Sequence, residues 1–291
     1  MSKCSVIDTF PQFRTFWRTA QQKSLDEQIN GWASNYMAPW PELLEKQREN
    51  YASEGEDWRH VAKERVFPFL TERLPEMERA YSNLQGLCAL ACAEAQEVLG
   101  FESEVIFVIY VGIGCGAGWV TRYQNTPAIL LGLENIAECG WSDTATLKGL
   151  IAHEMGHLAH FHWRAEKEMP TGSGPWWELY TEGFAQRCEH LIMGQENWHM
   201  GVEEGWLRWC QEHRRWLARE FLRTVDEGEP VRRFFGSWYQ IEGKSQSGYF
   251  LGCELIKRLE KKRSLKEIAL LSDWRERMRA VSYTHLRAHE T

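Results

Sequence analysis

The chain has 291 residues, 43% hydrophobic and 13% aromatic, with a formal net charge of −7. This describes a soluble globular protein with enough apolar residues for a substantial core, in one large domain or two. The mildly acidic balance gives no electrostatic ground for nucleic acid or an anionic membrane as partner.

MSKCSVIDTFPQF lacks the apolar stretch of a signal peptide. The uncharged run Val105 to Val120 is too short and glycine-rich to span a membrane. The eight cysteines are scattered and form no C-x-x-C pair, so a reducing cytoplasm is the expected location.

Residues 1–100 read as an N-terminal helical region. WPELLEKQRENY places Pro41 in a first turn followed by good helix formers. DWRHVAKERVFPFL continues with apolar spacing near 3.6 and breaks near Pro68. Leu84 to Leu99 is a small-residue helix in which Cys88 and Cys92 read as core residues, closed by Gly100 at the C-cap.

The pattern then changes. VIFVIYV, Val105 to Val111, is a buried strand by its β-branched and aromatic content. GIGCGAGW follows, but Ala117 stands where G-x-G-x-x-G requires its third glycine, and no helix is predicted to follow. A phosphate cradle needs that helix N-terminus, so the dinucleotide reading fails. TPAILLGLEN reads as another strand.

Thr144 to Trp163, TATLKGLIAHEMGHLAHFHW, carries the chemistry. His153 and His157 are four apart and project from one helical face about one turn apart. Imidazoles so spaced can close on one tetrahedral Zn²⁺, and Glu154 occupies the general-base position of H-E-x-x-H. Ser142 or Asp143 can cap the helix. Leu147, Ile151, Met155 and Leu158 fall away from the histidines, whereas Thr146, Gly149 and Gly156 leave room above the metal. His160 shares the histidine face but lies about 10 Å along the axis from His153, so it and His162 are expected to be structural or rim residues.

EKEMPTGSGP is a loop, and Pro175 opens a second helix, WWELYTEGFAQRCEHLIMG, ended by Gly194. Glu182 lies on it with 24 residues between it and His157 and is a candidate third ligand, in competition with Glu178 one turn earlier. Gly183 inside a helix costs about 1 kcal/mol relative to alanine; close approach of the two helices at the metal would account for it. Further on, Val202 to Leu222 is expected to turn Trp206, Trp209, Trp216 and Leu217 inward. IKRLEKKRSLK is a solvated basic helix end. Fifteen tryptophans point to an aromatic core or a lined groove.

HEMGH followed by TEGFA resembles the gluzincin class of zinc metallopeptidases, similar to uncharacterised predicted zinc-dependent proteases and distantly to the aminopeptidase N and thermolysin-like groups. That resemblance implies Glu182 as the third ligand. GLEN at Gly132 to Asn135 resembles an aminopeptidase substrate segment, implying substrate binding by Glu134. YFLG at Tyr249 to Gly252 resembles a segment whose tyrosine helps stabilise the oxyanion, implying a catalytic role for Tyr249. It also implies that the strand containing Leu130 to Leu133 offers an edge to an extended substrate. Two departures stand: Leu133 replaces a methionine, and Gln186 stands where thermolysin-like relatives place a histidine-orienting aspartate. Trp163 occupies the position of a metzincin third histidine, which excludes that class.

The last eleven residues, VSYTHLRAHET, Val281 to Thr291, resemble the translation of a sequencing adaptor. They are set aside together with His285 and His289, and the natural protein is expected to continue beyond Ala280.

The expected fold is α+β and mainly helical, with a small sheet packed beside a two-helix zincin core at residues 101–195 and a C-terminal helical region at 196–280. The expected activity is zinc-dependent hydrolysis of a peptide or protein substrate. The alternatives are a non-catalytic zinc-stabilised binding protein, or specifically an aminopeptidase.

Overall fold

The computed structural model describes residues 4–201 and 203–287, with side chains through Ala280. The chain is mainly helical with one four-stranded sheet, an α+β fold. It divides into two compact units. The first comprises the chain up to Gln96 and Glu102–Glu154; the second comprises Glu97–Phe101 and the chain from Met155 onward.

The first unit opens with a strand that composition did not reveal, β1 (Cys4–Asp8). Helices α1 (Phe10–Ala20), α2 (Leu25–Gly31), α3 (Pro41–Ser53), α4 (Trp58–Val61), α5 (Leu70–Leu84) and α6 (Leu87–Leu99) follow. Pro41 is at the start of α3, the chain tightens through Phe67–Phe69 before α5, and Gly100 takes φ +67° after α6, as the sequence predicts. Strands β2 (Val105–Tyr110), β3 (Gly118–Tyr123) and β4 (Thr126–Gly132) lead to α7 (Leu133–Glu138) and α8 (Thr144–Glu166).

The sheet order is β1-β2-β4-β3. β1 and β4 both run parallel to β2, and β3 is antiparallel to β4. β1 therefore ties residues expected to form a separate N-terminal region into the same unit as the other strands. The strand holding Leu130 is flanked on both sides and is not an edge, which corrects one expectation; the free edge beside it belongs to β3. Leu133 begins a helix rather than continuing the strand.

Aromatic packing fills this unit. Phe13 stacks on Trp17 at 5.7 Å and meets Tyr36 edge-on at 5.4 Å. The Trp32 indole N–H donates to the Val111 carbonyl at 2.9 Å, and the Val111 N–H donates to the Tyr36 hydroxyl at 3.0 Å. The polar tips of core aromatics thus satisfy the backbone where β2 ends.

The second unit holds α9 (Pro175–Ile192), α10 (Trp206–Glu212), α11 (Arg214–Asp226), α12 (Ser247–Glu260), α13 (Leu265–Ala269) and α14 (Trp274–Arg287). Where a single helix was expected from Val202 to Leu222, the described residues form two, α10 and α11, separated at His213. Trp206 and Leu217 are buried as expected, whereas Trp209 and Trp216 are half-buried, with His213 stacked on Trp209 at 4.5 Å. Val202 lies outside the described residues. The buried Arg164 guanidinium donates to the carbonyls of Ala269 at 2.9 Å and Pro170 at 2.6 Å, fixing the segment after α8 and the loop after α13.

The backbone of α14 continues through Arg287; residues 288–291, including His289, lie outside the described residues, and the adaptor-like side chains from Val281, His285 among them, are not described. None of the eight cysteines is in a disulfide. Among the described residues, no helix is long and apolar enough to cross a membrane.

Candidate metal centre

The start of α8 is set by Asp143, whose Oδ1 accepts the N–H groups of Ala145 and Thr146, each at 3.0 Å. These are two of the four donors a helix leaves unsatisfied at its N-terminus. Ser142, the other candidate cap, is used elsewhere: it accepts from Arg79 Nε at 2.8 Å and contacts Glu76. The helix is buried on nearly every side from Leu147 to Trp163, which explains the many apolar and small residues around HEMGH.

Gly156 faces α9. A Cβ there would lie 2.7 Å from Cys188 Cβ and 2.9 Å from Ala185 Cα, so only glycine permits this approach of the two helices. Gly183, expected to serve this purpose, faces α12 instead, where a Cβ would come within 2.2 Å of the Gly252 carbonyl carbon. The small residue that admits α9 to the histidine helix is on α8 itself.

One donor atom from each of His153, His157 and Glu182 lies within 4.8 Å of the other two. His157 Nε2 is 3.3 Å from Glu182 Oε2. In a tetrahedron with metal–ligand bonds of about 2.0–2.1 Å, neighbouring donors stand about 3.3 Å apart, so this edge has the length zinc coordination requires. Two imidazoles and one carboxylate are also the donor set of many catalytic zinc sites, leaving a fourth position open. The residues fit the ion. Glu178 belongs to no such group among the described residues.

Glu154 follows His153 directly and is 5% exposed. Its carboxylate rests on the start of β3, where a Cβ on Gly118 would lie 2.9 Å from Oε1. His160 is fully buried in an aromatic cage, with ring centroids of Phe184 at 5.0 Å, Tyr180 at 5.2 Å and Trp177 at 5.4 Å. Neither ring nitrogen has a hydrogen-bond partner among the described residues. Burial, with Arg164 and His157 nearby, pushes its pKa well below the ordinary imidazole value, so it is a neutral core side chain. His162 packs against Phe101 and pairs with Glu166 at 3.3 Å.

Glu134 is placed differently from its expected role. It is fully buried, with Oε2 accepting Gly112 N–H at 2.7 Å and Oε1 accepting Gly114 N–H at 3.1 Å. Burial pushes its carboxyl up to about 7, against the opposing effect of those N–H groups and of Arg73. Each oxygen accepts one backbone N–H, and the side chain has no exposed surface in this structure. Tyr249 is half-buried in the first turn of α12, its ring edge-on to Phe235 at 5.8 Å, one turn before the Gly252 contact with α9.

A second cluster escaped the sequence reading. One donor atom from each of His153, Glu189 and His199 lies within 4.8 Å of the other two. Glu189, fully buried, bonds His199 Nδ1 at 2.7 Å and accepts from His199 N–H at 3.0 Å and Asn197 Nδ2 at 2.6 Å. Glu189 lies two helical turns after Glu182, the spacing that returns a residue to the same face, and that was the available signal. Gln186, at the position noted as departing from thermolysin-like relatives, holds the Asn197 carbonyl at 2.8 Å and so supports the same turn.

Comparison with protein-family models, curated proteins and solved structures returns no match.

Proposed function

We propose that the chain is a zinc-dependent peptidase whose metal ligands are His153, His157 and Glu182 and whose general base is Glu154. The observation that carries this reading is the convergence of two imidazoles and one carboxylate, with a further buried carboxylate adjacent to the first histidine. A structural zinc site has no use for that second acid.

His153, His157 and Glu182 would hold the zinc ion, which would supply Lewis acidity to a water and to the scissile carbonyl. Glu154 takes the proton of the attacking water and delivers it to the departing amine, so one carboxylate acts as base and then as acid. Tyr249, from the first turn of α12, is assigned a hydrogen bond to the developing oxyanion. Glu189 and His199, which bond each other at 2.7 Å, each bring one donor atom within 4.8 Å of a ring nitrogen of His153 and so flank the proposed ligand. An extended peptide would add to the free edge of β3 by main-chain hydrogen bonds. The burial of Glu134 against the loop amides supports cleavage within a chain over an aminopeptidase reading.

The test compares wild type with Glu154→Gln for zinc content and for hydrolysis of casein and of N-blocked and free peptides. We expect equal zinc in both proteins and turnover reduced at least 100-fold in the variant, a loss typical of removing a general base. Unchanged hydrolysis would remove Glu154 from the mechanism; a wild type that takes up no zinc would end the reading altogether.

A further inference from the structure

The glycine-rich segment between β2 and β3, set aside as a phosphate loop, has a different logic. Its alternate residues Gly112, Gly114, Gly116 and Gly118 are all glycine. Gly114 and Gly116 have φ of +89° and +149°, where a side chain would be strained. Three of the segment's N–H groups are taken by two consecutive side chains in the first turn of α7. Glu134 accepts from Gly112 and Gly114, and Asn135 Oδ1 accepts from Gly116 at 3.0 Å. The Ala117 carbonyl accepts from Gly132 N–H at 3.0 Å, and the Ile113 carbonyl accepts from the Tyr51 hydroxyl at 2.8 Å.

The segment is therefore tied down along its length, and it ends against the proposed base. Glycine at 118 leaves the space that the Glu154 side chain fills: a Cβ would meet Oε1 at 2.9 Å, Cγ at 3.0 Å and Leu150 Cδ1 at 3.0 Å. A carboxylate whose rotamer is bounded by a tethered backbone keeps its orientation through a proton transfer, which is what general-base catalysis demands of its support.

We propose that Glu134 and Asn135 are positioning residues for Glu154, acting through the tethered 112–118 segment with Gly118 as the contacting face. The proposal rests on the reading of Glu154 as the base. It also gives the Glu134–Asn135 pair a role in the reaction that involves no contact with substrate.

The experiment uses the full chain in wild-type, Gly118→Ala, Glu134→Gln and Glu154→Gln forms, each loaded with zinc or with cobalt(II). Metal content is measured, the visible absorption of the cobalt forms is titrated from acid to alkaline pH, and kcat and KM are separated on a peptide substrate. If the segment seats the base, Gly118→Ala and Glu134→Gln retain the metal and shift the cobalt titration midpoint in the same direction as Glu154→Gln. They also lower kcat at least tenfold with KM within about twofold. Wild-type midpoints and kcat in both variants, beside a shifted Glu154→Gln, would overturn the proposal while leaving the base assignment intact. Loss of metal affinity in Glu134→Gln would also overturn it, by showing a general structural role. Should Gly118→Ala not fold, Glu134→Gln decides alone, since it preserves side-chain size and lies away from the Glu154 contact. A wild type that binds no metal, or a Glu154→Gln form matching wild type in both measurements, would instead mark failure of the underlying reading, and the proposal would fall with it.

Discussion

Substitution of Glu134 by Gln should leave a signature in the pH dependence of folding. Burial holds the Glu134 carboxyl at about 7 in the folded chain, against an ordinary value of 4.5. Between these values the native state carries a proton that the unfolded chain has released, so stability falls as pH rises. The stabilising contribution is fully present below the unfolded value and is lost as pH climbs through the folded one. A separation of about 2.5 units at 1.36 kcal/mol each gives a change of about 3 kcal/mol. The groups facing Glu134 leave this window clear: Tyr51 from α3, Tyr36 beyond α2, Tyr110 from β2 and Cys115 from the loop are all held above their ordinary values, chiefly by burial. The facing cation is Arg73 from α5. Gln cannot titrate, and its amide nitrogen opposes one of the two glycine N–H donors, a fixed cost of about 1–3 kcal/mol. Urea denaturation of both metal-free proteins, followed by tryptophan fluorescence from pH 4.5 to 8, isolates the effect. The deficit of the Gln variant should narrow by up to about 3 kcal/mol as pH rises to 8. A deficit independent of pH would refute the assignment of a raised carboxyl to Glu134.

Three further outcomes follow from the packing and the ligand set. Glu182→Gln should weaken zinc binding by about 100-fold or more, since even outer contacts to a ligand are worth about 10–100-fold; competition against a chromophoric chelator measures this, and an unchanged affinity would return Glu178 to consideration. His160→Met should keep full zinc content and show equal or higher stability by calorimetry, because a buried imidazole with both nitrogens unbonded carries a desolvation cost of about 1–3 kcal/mol. Gly183→Ala should destabilise by about 1–3 kcal/mol or more, since the new Cβ meets backbone atoms of α12 that have no rotamer to change; an unshifted melting temperature would contradict the close approach.

The parts of this molecule that were legible in the sequence are those governed by local chemistry. The spacing of His153 and His157, the cap at Asp143, Pro41 at the start of α3 and Gly100 after α6 each depend on a few neighbouring residues. Two of the three strands of residues 105–132, β2 and β4, were legible for the same reason. What the sequence concealed depends on contacts distant along the chain. β1 is five residues whose partner lies about a hundred positions later, so no local period marks it. Gly183 and Gly156 look alike as helical glycines, and only the packing assigns one to α12 and the other to α9. Glu134 was expected to bind substrate, yet the glycine N–H groups that it accepts are about twenty residues upstream. The alternating glycines were informative throughout, but about a carboxylate rather than a phosphate. The backbone donors that a phosphate cradle would turn toward its ligand are turned here toward Glu134 and Asn135, and the vacant Cβ position at Gly118 is turned toward Glu154. The loop and the histidine helix thus serve one proposed centre: the helix supplies the base, and the glycines leave the space that holds it.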